Sequence, residues 1–328
     1  MGSDDCPASE VSGVADFLRE NGDAKVRFIL FGDEKKIKAE TQKINLSSEM
    51  VEIVHTSQVV TMSDDPTVAI KSKKDSSIAR GLSFHKEGKI DAFISAGNTG
   101  AMLSAATILL GRIKGVSRPT VATPFPTAGE FPVLILDAGA NVDCKPQYLY
   151  EFAVMGALFM KETFGVDDPK VALLNVGEEP SKGNEQAVAT YKLLSKSKSI
   201  NFYGNYEGRD IFSGKASVVV CDGFTGNIVL KFAESIFGFL KSQLRNYANQ
   251  SLSKKIKIGL LAPTLKDALS DLDYQKYGGV PMLGVNGVVM IGHGSSKAQA
   301  INAMIVRSLG IIEHELNKKI ENALEENK

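Results

Sequence analysis

Short, nearly all-apolar runs alternate along the chain with longer stretches in which apolar residues return at helical spacing. The runs predict strands at 26–32, 51–56, 91–97, 120–125, 132–139, 170–177, 200–205, 216–223 and 287–294. Between them the spacing predicts helices at 8–21, 67–87, 99–112, 146–164, 184–197, 225–247 and 296–325. Strands apolar at almost every position are those covered on both faces, and strand–helix alternation gives a parallel sheet between helical layers. The stretch 115–140 departs from this, because two strand-like runs are joined there by Pro-Thr-Ala-Gly-Glu, the mark of an antiparallel hairpin. The expectation is an α/β fold with a mixed, mostly parallel sheet. One stretch, 251–270, fits neither period well.

A second pattern lies where strands hand over to helices. FISAGNTGAML leaves its strand through Gly97, Asn98, Thr99 and Gly100, and VVVCDGFTGNIVL leaves through Gly223, Phe224, Thr225, Gly226 and Asn227. VMIGHGSSKAQA does so through Gly292, His293, Gly294, Ser295 and Ser296. LLNVGEEPSKGNEQ carries Lys182-Gly183-Asn184 in its loop, and LILDAGANVDCKP exits through Asp137, Asn141 and Asp143. The first N–H groups of a helix lack intrahelical partners and carry the positive end of its dipole, so a glycine turn at that point suits phosphate. Taken singly, each Ser, Thr or Asn here reads equally as an N-cap. The number of such turns favours a phosphate-bearing ligand. Lys182 reads either as a surface lysine or as a point charge for phosphate, and Asn227 either as a cap or as a donor to a developing oxyanion.

Composition narrows the classes. The 328 residues hold 38 basic and 38 acidic side chains, so bulk charge gives no reason to expect nucleic acid. Cys6, Cys144 and Cys221 form no CxxC pair, which excludes a disulfide framework and suits a reducing cytoplasm. The polar start MGSDDCPASE lacks the apolar core of a signal peptide, and no run reaches the ~18 apolar residues of a membrane span. The chain has no GxxxxGK[ST], no GxGxxG after a strand, no HExxH and no GxSxG. Cys221 within its strand reads as a small buried hydrophobe rather than a nucleophile. His293, between two glycines, reads equally as structural or as an acid or base.

The strings AGNTGA, LILDAGAN, LLNVGEEPSKGNE, FYGNYEGRDIF, VVVCDGFTGNIVLK and YGGVPMLGVNGVVMIGHGSS, in this order over nearly the whole chain, resemble the phosphate acyltransferases of bacterial phospholipid synthesis, the PlsX family. The resemblance implies a three-layer α/β/α sandwich like phosphotransacetylases and isopropylmalate dehydrogenases, in a single domain over 1–328. It also implies transfer of a fatty acyl group from acyl carrier protein to inorganic phosphate, with no metal and no cofactor. Lys182 and Asn227 match the family's catalytic positions. Asp4, Asn98, Thr99, Gly100, Asp137, Asn141, Gly223, Thr225, Gly226, His293, Gly294, Ser295 and Ser296 are the candidate substrate and phosphate contacts.

Three further expectations follow from the resemblance. The family pattern has a short strand ending in Asp-Ala just before the MGSDDCP match, and Gly-Gly-Asp where this chain has Gly2-Ser3-Asp4, so the first strand is expected to be missing from the sheet. A helical segment around 235–272 is expected to protrude and serve a homodimer. Within it Lys254, Lys255 and Lys257 stand among Ile256, Ile258, Leu260 and Leu261, a pattern that suits either a dimer helix or the surface of the cell membrane's inner face. The partners are thus acyl carrier protein, phosphate and a second copy. An acyl-CoA phosphotransacylase and a non-catalytic membrane scaffold of lipid synthesis are the alternatives.

Overall fold

The computed structural model describes residues 1–22, 25–47, 49–268 and 278–326; positions 269–272 of the expected protruding segment lie outside them. The amino-terminal part runs α1 (Ala8–Glu20), β1 (Phe28–Gly32), α2 (Glu34–Lys43), β2 (Val51–His55), α3 (Pro66–Ser72), α4 (Ser77–Lys86), β3 (Ala92–Ser95) and α5 (Thr99–Leu109). The middle runs β4 (Thr120–Val121), β5 (Thr123–Phe125), β6 (Val133–Leu136), α6 (Pro146–Phe164), β7 (Lys170–Asn175), α7 (Glu185–Leu194), β8 (Asn201–Glu207), a short 3-10 turn at Gly208–Ser213 and β9 (Val218–Val220). Then come α8 (Gly223–Asn249), α9 (Leu252–Ala268), β10 (Val280–Leu283), β11 (Val288–Ile291), α10 (Ala298–Glu313) and α11 (Leu316–Glu326).

The strands form one two-stranded sheet, β1-β2, and two larger ones in the orders β3-β11-β10-β4 and β5-β6-β9-β7-β8. Strands β6 and β9 are buried at every position because both faces are covered. Alternate side chains serve the two faces. Leu134, Leu136, Val218 and Val220 join a core with α1, α6 and α10, whereas Val133, Ile135 and Val219 face Tyr206, Ile211 and Ala233 of α8. A third core lies between α4, α5 and the strands β3, β10 and β11. The result is the expected sandwich with helices on both faces. The hairpin expected at 115–140 is present as β5 and β6, antiparallel from Thr123 opposite Ile135 to Phe125 opposite Val133.

Several elements differ from the sequence reading. The single helix expected at 67–87 is two, because Ser76 pairs with Gln58 and caps α4. The one expected at 296–325 breaks at Glu315, which has a φ of 50°. Helix α2 and strand β10 were not expected. From Glu234 to Thr264 the described side chains of α8 and α9 are exposed except half-buried Ala248, Lys254 and Ile258.

Two features of the topology shape the site. First, β11 runs antiparallel to β10 and β10 antiparallel to β4, so β3 and β11 run in the same direction as β4 and β5. Strands β6, β9 and β7 run the opposite way. Register places Leu136 opposite Ala122, and Ile291 opposite Val280, which extends the pairing of Met282 with Val121 to the level of Thr123. The two sets of parallel strands therefore end at nearly the same height, arriving from opposite directions on the two sides of β4–β5. Second, among the described residues β1 pairs only with β2, and β3 only with β11. Between them lies a slot of about 810 Å³ lined by Phe28, Leu30, Phe31, Phe93, Ile301 and Ile305 among others.

Candidate functional site

The glycine turns that follow the strands fall into two groups. One gathers the turns after β3 and β11. Asn98 caps α5 by accepting from Ala101 N–H (3.0 Å), while its Nδ2 donates to the carbonyls of Thr61 (3.0 Å), Asp64 (3.3 Å) and Met62 (3.5 Å). This amide is buried and fully employed holding the loop at 61–64, rather than facing a ligand. Asp4 N–H donates to Gly294 O (2.9 Å), bringing the amino-terminal segment to the β11 turn, and Ser296 N–H donates to His293 O (2.9 Å). His293 is exposed, with Nδ1 2.7 Å from Ser295 Oγ. Ser296 is 2% exposed and its Oγ has no partner among the described residues. The N–H groups of Thr99, Gly100 and Gly294 have no acceptor among the described residues.

The second group follows β6, β9 and β7, which are neighbours in that sheet. Asp137 is fully buried. Its Oδ1 accepts from Thr120 Oγ1 (3.1 Å), Val121 N–H (3.1 Å) and Ala140 N–H (3.2 Å), and its Oδ2 from Asn141 N–H (2.5 Å) and Nδ2 (3.0 Å). Burial pushes its carboxyl up, and the donors pull the other way. Both oxygens tie the β6 exit loop to β4. Asn141 is similarly engaged, its Nδ2 also donating to Pro119 O (2.7 Å) and its carbonyl accepting from Gly223 N–H (2.7 Å).

At the start of α8, Asp222 occupies the helix terminus. Its Oδ1 accepts from Thr225 N–H (2.7 Å) and its Oδ2 from Thr225 Oγ1 (3.0 Å), while Gly226 N–H donates to Asp222 O (3.0 Å). The backbone donors of Gly223, Thr225 and Gly226 are thus taken. Gly226 is there for proximity, since a Cβ would lie 1.9 Å from Asp137 O. Burial pushes the Cys221 thiol well up and Cys144 up to about 12, so neither is a thiolate at neutral pH.

Among the polar side chains of this group without a partner among the described residues are Asn227 and Lys182. Asn227, at the first turn of α8, is exposed and packs beside Gly139, where a Cβ would stand 3.4 Å from the amide carbon. Its amide forms no hydrogen bond among the described residues. Lys182 is exposed, its stem lying over Gly177, and its ammonium forms no ion pair or hydrogen bond among the described residues. Lys182 lies in the loop that follows β7 and Asn227 in α8, which follows β9, and β7 and β9 are neighbours in the sheet. The two groups of turns are joined through α5, whose Ala101 and Met102 share a core with Ala138, Ala140 and Leu230 of the second group. Among the described residues no set of three or more His, Cys, Asp or Glu could hold a metal, and no described helix is long and apolar enough to cross a membrane.

A family model described as fatty acid synthesis protein matches residues 1–319. A phosphate acyltransferase of Dictyoglomus turgidum is 44% identical over 320 residues, covering 98% of this chain and 94% of that protein. One from Halothermothrix orenii is 42% identical, covering 97% of each, and one from Chlorobaculum tepidum is 43% identical, covering 98% of each. Among solved structures, the EutD phosphotransacetylase from Staphylococcus aureus is similar with a TM-score of 0.58 at 17% identity, over 93% of this chain and 92% of that one. A phosphotransacetylase from Streptococcus pyogenes gives 0.59 at 18%, over 92% and 91%. At such identities the structural likeness carries the fold alone.

Proposed function

The chain belongs to the fatty acid synthesis protein family, and we propose that it transfers a fatty acyl group from acyl carrier protein to inorganic phosphate, releasing an acyl phosphate for phospholipid synthesis. The observation that carries the proposal is the division of labour among the site's polar groups. Asn98, Asp137, Asn141 and Thr225 are spent inside the protein, whereas Lys182, in the loop after β7, and Asn227, in α8 after β9, have polar heads without a partner among the described residues. A cation and an amide donor so placed match the needs of a thioester carbonyl turning into an oxyanion. A phosphate oxygen attacks the carbonyl carbon, the C–O bond forms, and the charge that gathers on the carbonyl oxygen meets Lys182 Nζ and Asn227 Nδ2. Collapse breaks the C–S bond, and the carrier thiolate leaves and takes a proton from solvent. Phosphate is its own nucleophile, so positioning and charge stabilisation supply the rate. The free N–H groups of Thr99, Gly100 and Gly294 support a second anchoring point for the anion at the start of α5.

Incubation with palmitoyl-acyl carrier protein is expected to release free carrier thiol only when phosphate is present. Palmitoyl-CoA turning over as well as the carrier substrate would assign the chain to an acyl-CoA phosphotransacylase, and no phosphate-dependent release from either would reduce it to a scaffold. Acyl carrier proteins are acidic, so docking on basic residues weakens with salt. Lys254, Lys255 and Lys257 are candidates for that contact. The KM for the carrier substrate is expected to climb as salt is added, and a flat KM would remove the electrostatic docking step.

The same reading makes the α8–α9 projection a contact between two copies of this single-domain chain. Ile236, Phe239, Leu240, Leu244 and Tyr247 are exposed along α8, and Leu252, Ile256, Leu260 and Leu261 along α9. Apolar surface of that extent marks an interaction face. The protein is expected to sediment as a homodimer that Leu240→Glu converts to monomer. Monomers from both, together with pelleting of the unaltered chain on anionic vesicles, would give the face to peripheral membrane contact instead.

A further inference from the structure

We infer that Asn175 and Asn205 are positioning residues that fix the turn carrying Lys182. The inference rests on the reading in which Lys182 acts on the reacting groups. Lys182 closes a tight turn by donating its N–H to Glu179 O (3.0 Å). The turn sits in a loop that leaves β7 at Asn175 and re-enters regular structure at α7. Its two end carbonyls are each held by an asparagine amide from the sheet. Asn205 Nδ2, from β8, donates to Glu179 O at 2.7 Å, and Asn175 Nδ2, from the end of β7, donates to Lys182 O at 3.0 Å.

The surroundings show that these amides do more than fill space. Asn205 is 4% exposed, and its Oδ1 is buried with no partner. Leucine has the same branching and number of heavy atoms without that unpaired acceptor, so what the asparagine contributes is its donor. Strand register brings this about, because Asn205 stands opposite Leu173 on β7, beneath the departing loop. Asn175 spends its other end on Val176 N–H (2.8 Å), so its amide is held at both ends. Gly183 completes the arrangement: its φ of 95° turns the chain back over Asn175, and a Cβ there would lie 2.3 Å from Asn175 Oδ1. The long, exposed Lys182 side chain has no partner of its own among the described residues, so the clamps on its backbone are what aim it. Each amide meets the backbone of the turn, and so both act through Lys182.

A kinetic double-mutant cycle tests this. Asn205→Leu is expected to lower kcat/KM by ~10–10²-fold, the scale of a catalytic group displaced by about an ångström, with little change in melting temperature. In a Lys182→Ala background the same substitution is expected to cost nothing further, since the displaced group is already gone. Asn175→Asp, which keeps the acceptor for Val176 and loses the donor to Lys182, is expected to behave alike. Equal losses in both backgrounds, or no loss in the first, would overturn the inference while leaving Lys182 in its role. Full activity of Lys182→Ala alone would remove that role and the inference with it. Should Asn205→Leu fail to fold, Asn205→Asp keeps the volume and carries the same cycle.

Discussion

Lys182→Ala and Asn227→Ala are each expected to lower turnover by ~10²–10³-fold, the usual cost of losing one preorganised donor to an oxyanion, with the melting temperature nearly unchanged. The second half of that expectation is what makes the first decisive. Truncating a buried polar residue leaves its partners unpaired and confounds activity with folding. Neither side chain has that liability: both are exposed and their polar heads have no partner among the described residues. The double variant is expected to lose less than the product of the single losses, because two donors to one oxygen are not independent. Near-normal turnover of both single variants at saturating phosphate and carrier substrate would remove Lys182 and Asn227 from the chemistry.

The contrast with the other candidates shows what a sequence can carry. An asparagine in a glycine turn is equally good as a cap and as a ligand contact, and nothing in AGNTGA says which way its amide turns. Asn98 turned inward, to α5 and the loop at 61–64, while Asn227 did not. Asp137 follows the apolar run VLIL, and its carboxylate satisfies backbone donors at the junction of two sheets, a pairing set by long-range register that no local pattern encodes. Asn175 and Asn205 carry no apolar signal, so a strand pattern built on apolar residues does not single them out. Their signal was the exception, an amide at the end of VALLN and another in NFYGNYE where the alternation calls for something else.

The fold was legible where burial is symmetric and illegible where it is not. Strands β6 and β9, covered on both faces, are apolar throughout and read without ambiguity. Helix α2, EKKIKAETQK, buries only Ile37, so its hydrophobic pattern is one residue deep and its main determinant is the Asp33 cap. Strand β10 begins after Gly278-Gly279 and contains Pro281, both of which argue for a loop, and it forms because β4 and β11 flank it. That strand also reverses the direction of the sheet and divides the glycine turns into two groups. A count of such turns predicts a ligand, but only topology shows that they approach β4–β5 from opposite ends.

An upstream strand of about six residues, β-branched and ending in Asp-Ala, is expected to raise the melting temperature and the activity when joined to Met1. The slot between β1 and β3 supplies the argument. Among the described residues each of these strands is paired on one side only, so backbone donors and acceptors line the slot's two long walls, and unpaired groups in an apolar setting are costly. Phe28, Leu30, Phe93 and Ile301 supply apolar contacts. The direction of entry is set at the top. A Cβ on Gly32, where β1 ends, would lie 2.9 Å from Met1 Cγ, and one on Gly97, just beyond β3, would lie 3.8 Å from Met1 O. A segment running through the slot to Met1 therefore finishes where both neighbours finish, parallel to each. At ~3.3 Å per residue, about six residues cover ~20 Å. Two large apolar side chains buried at ~1.5–3 kcal/mol each would contribute about 3–6 kcal/mol. Activity is expected to follow because the same segment continues to Asp4, whose N–H holds Gly294 of the β11 turn. Thermal unfolding of the extended and unextended chains is the deciding measurement, with an extension of equal length carrying proline at its centre as the control. If all three melt together, the slot is not a strand site; if only the β-branched extension gains, it is.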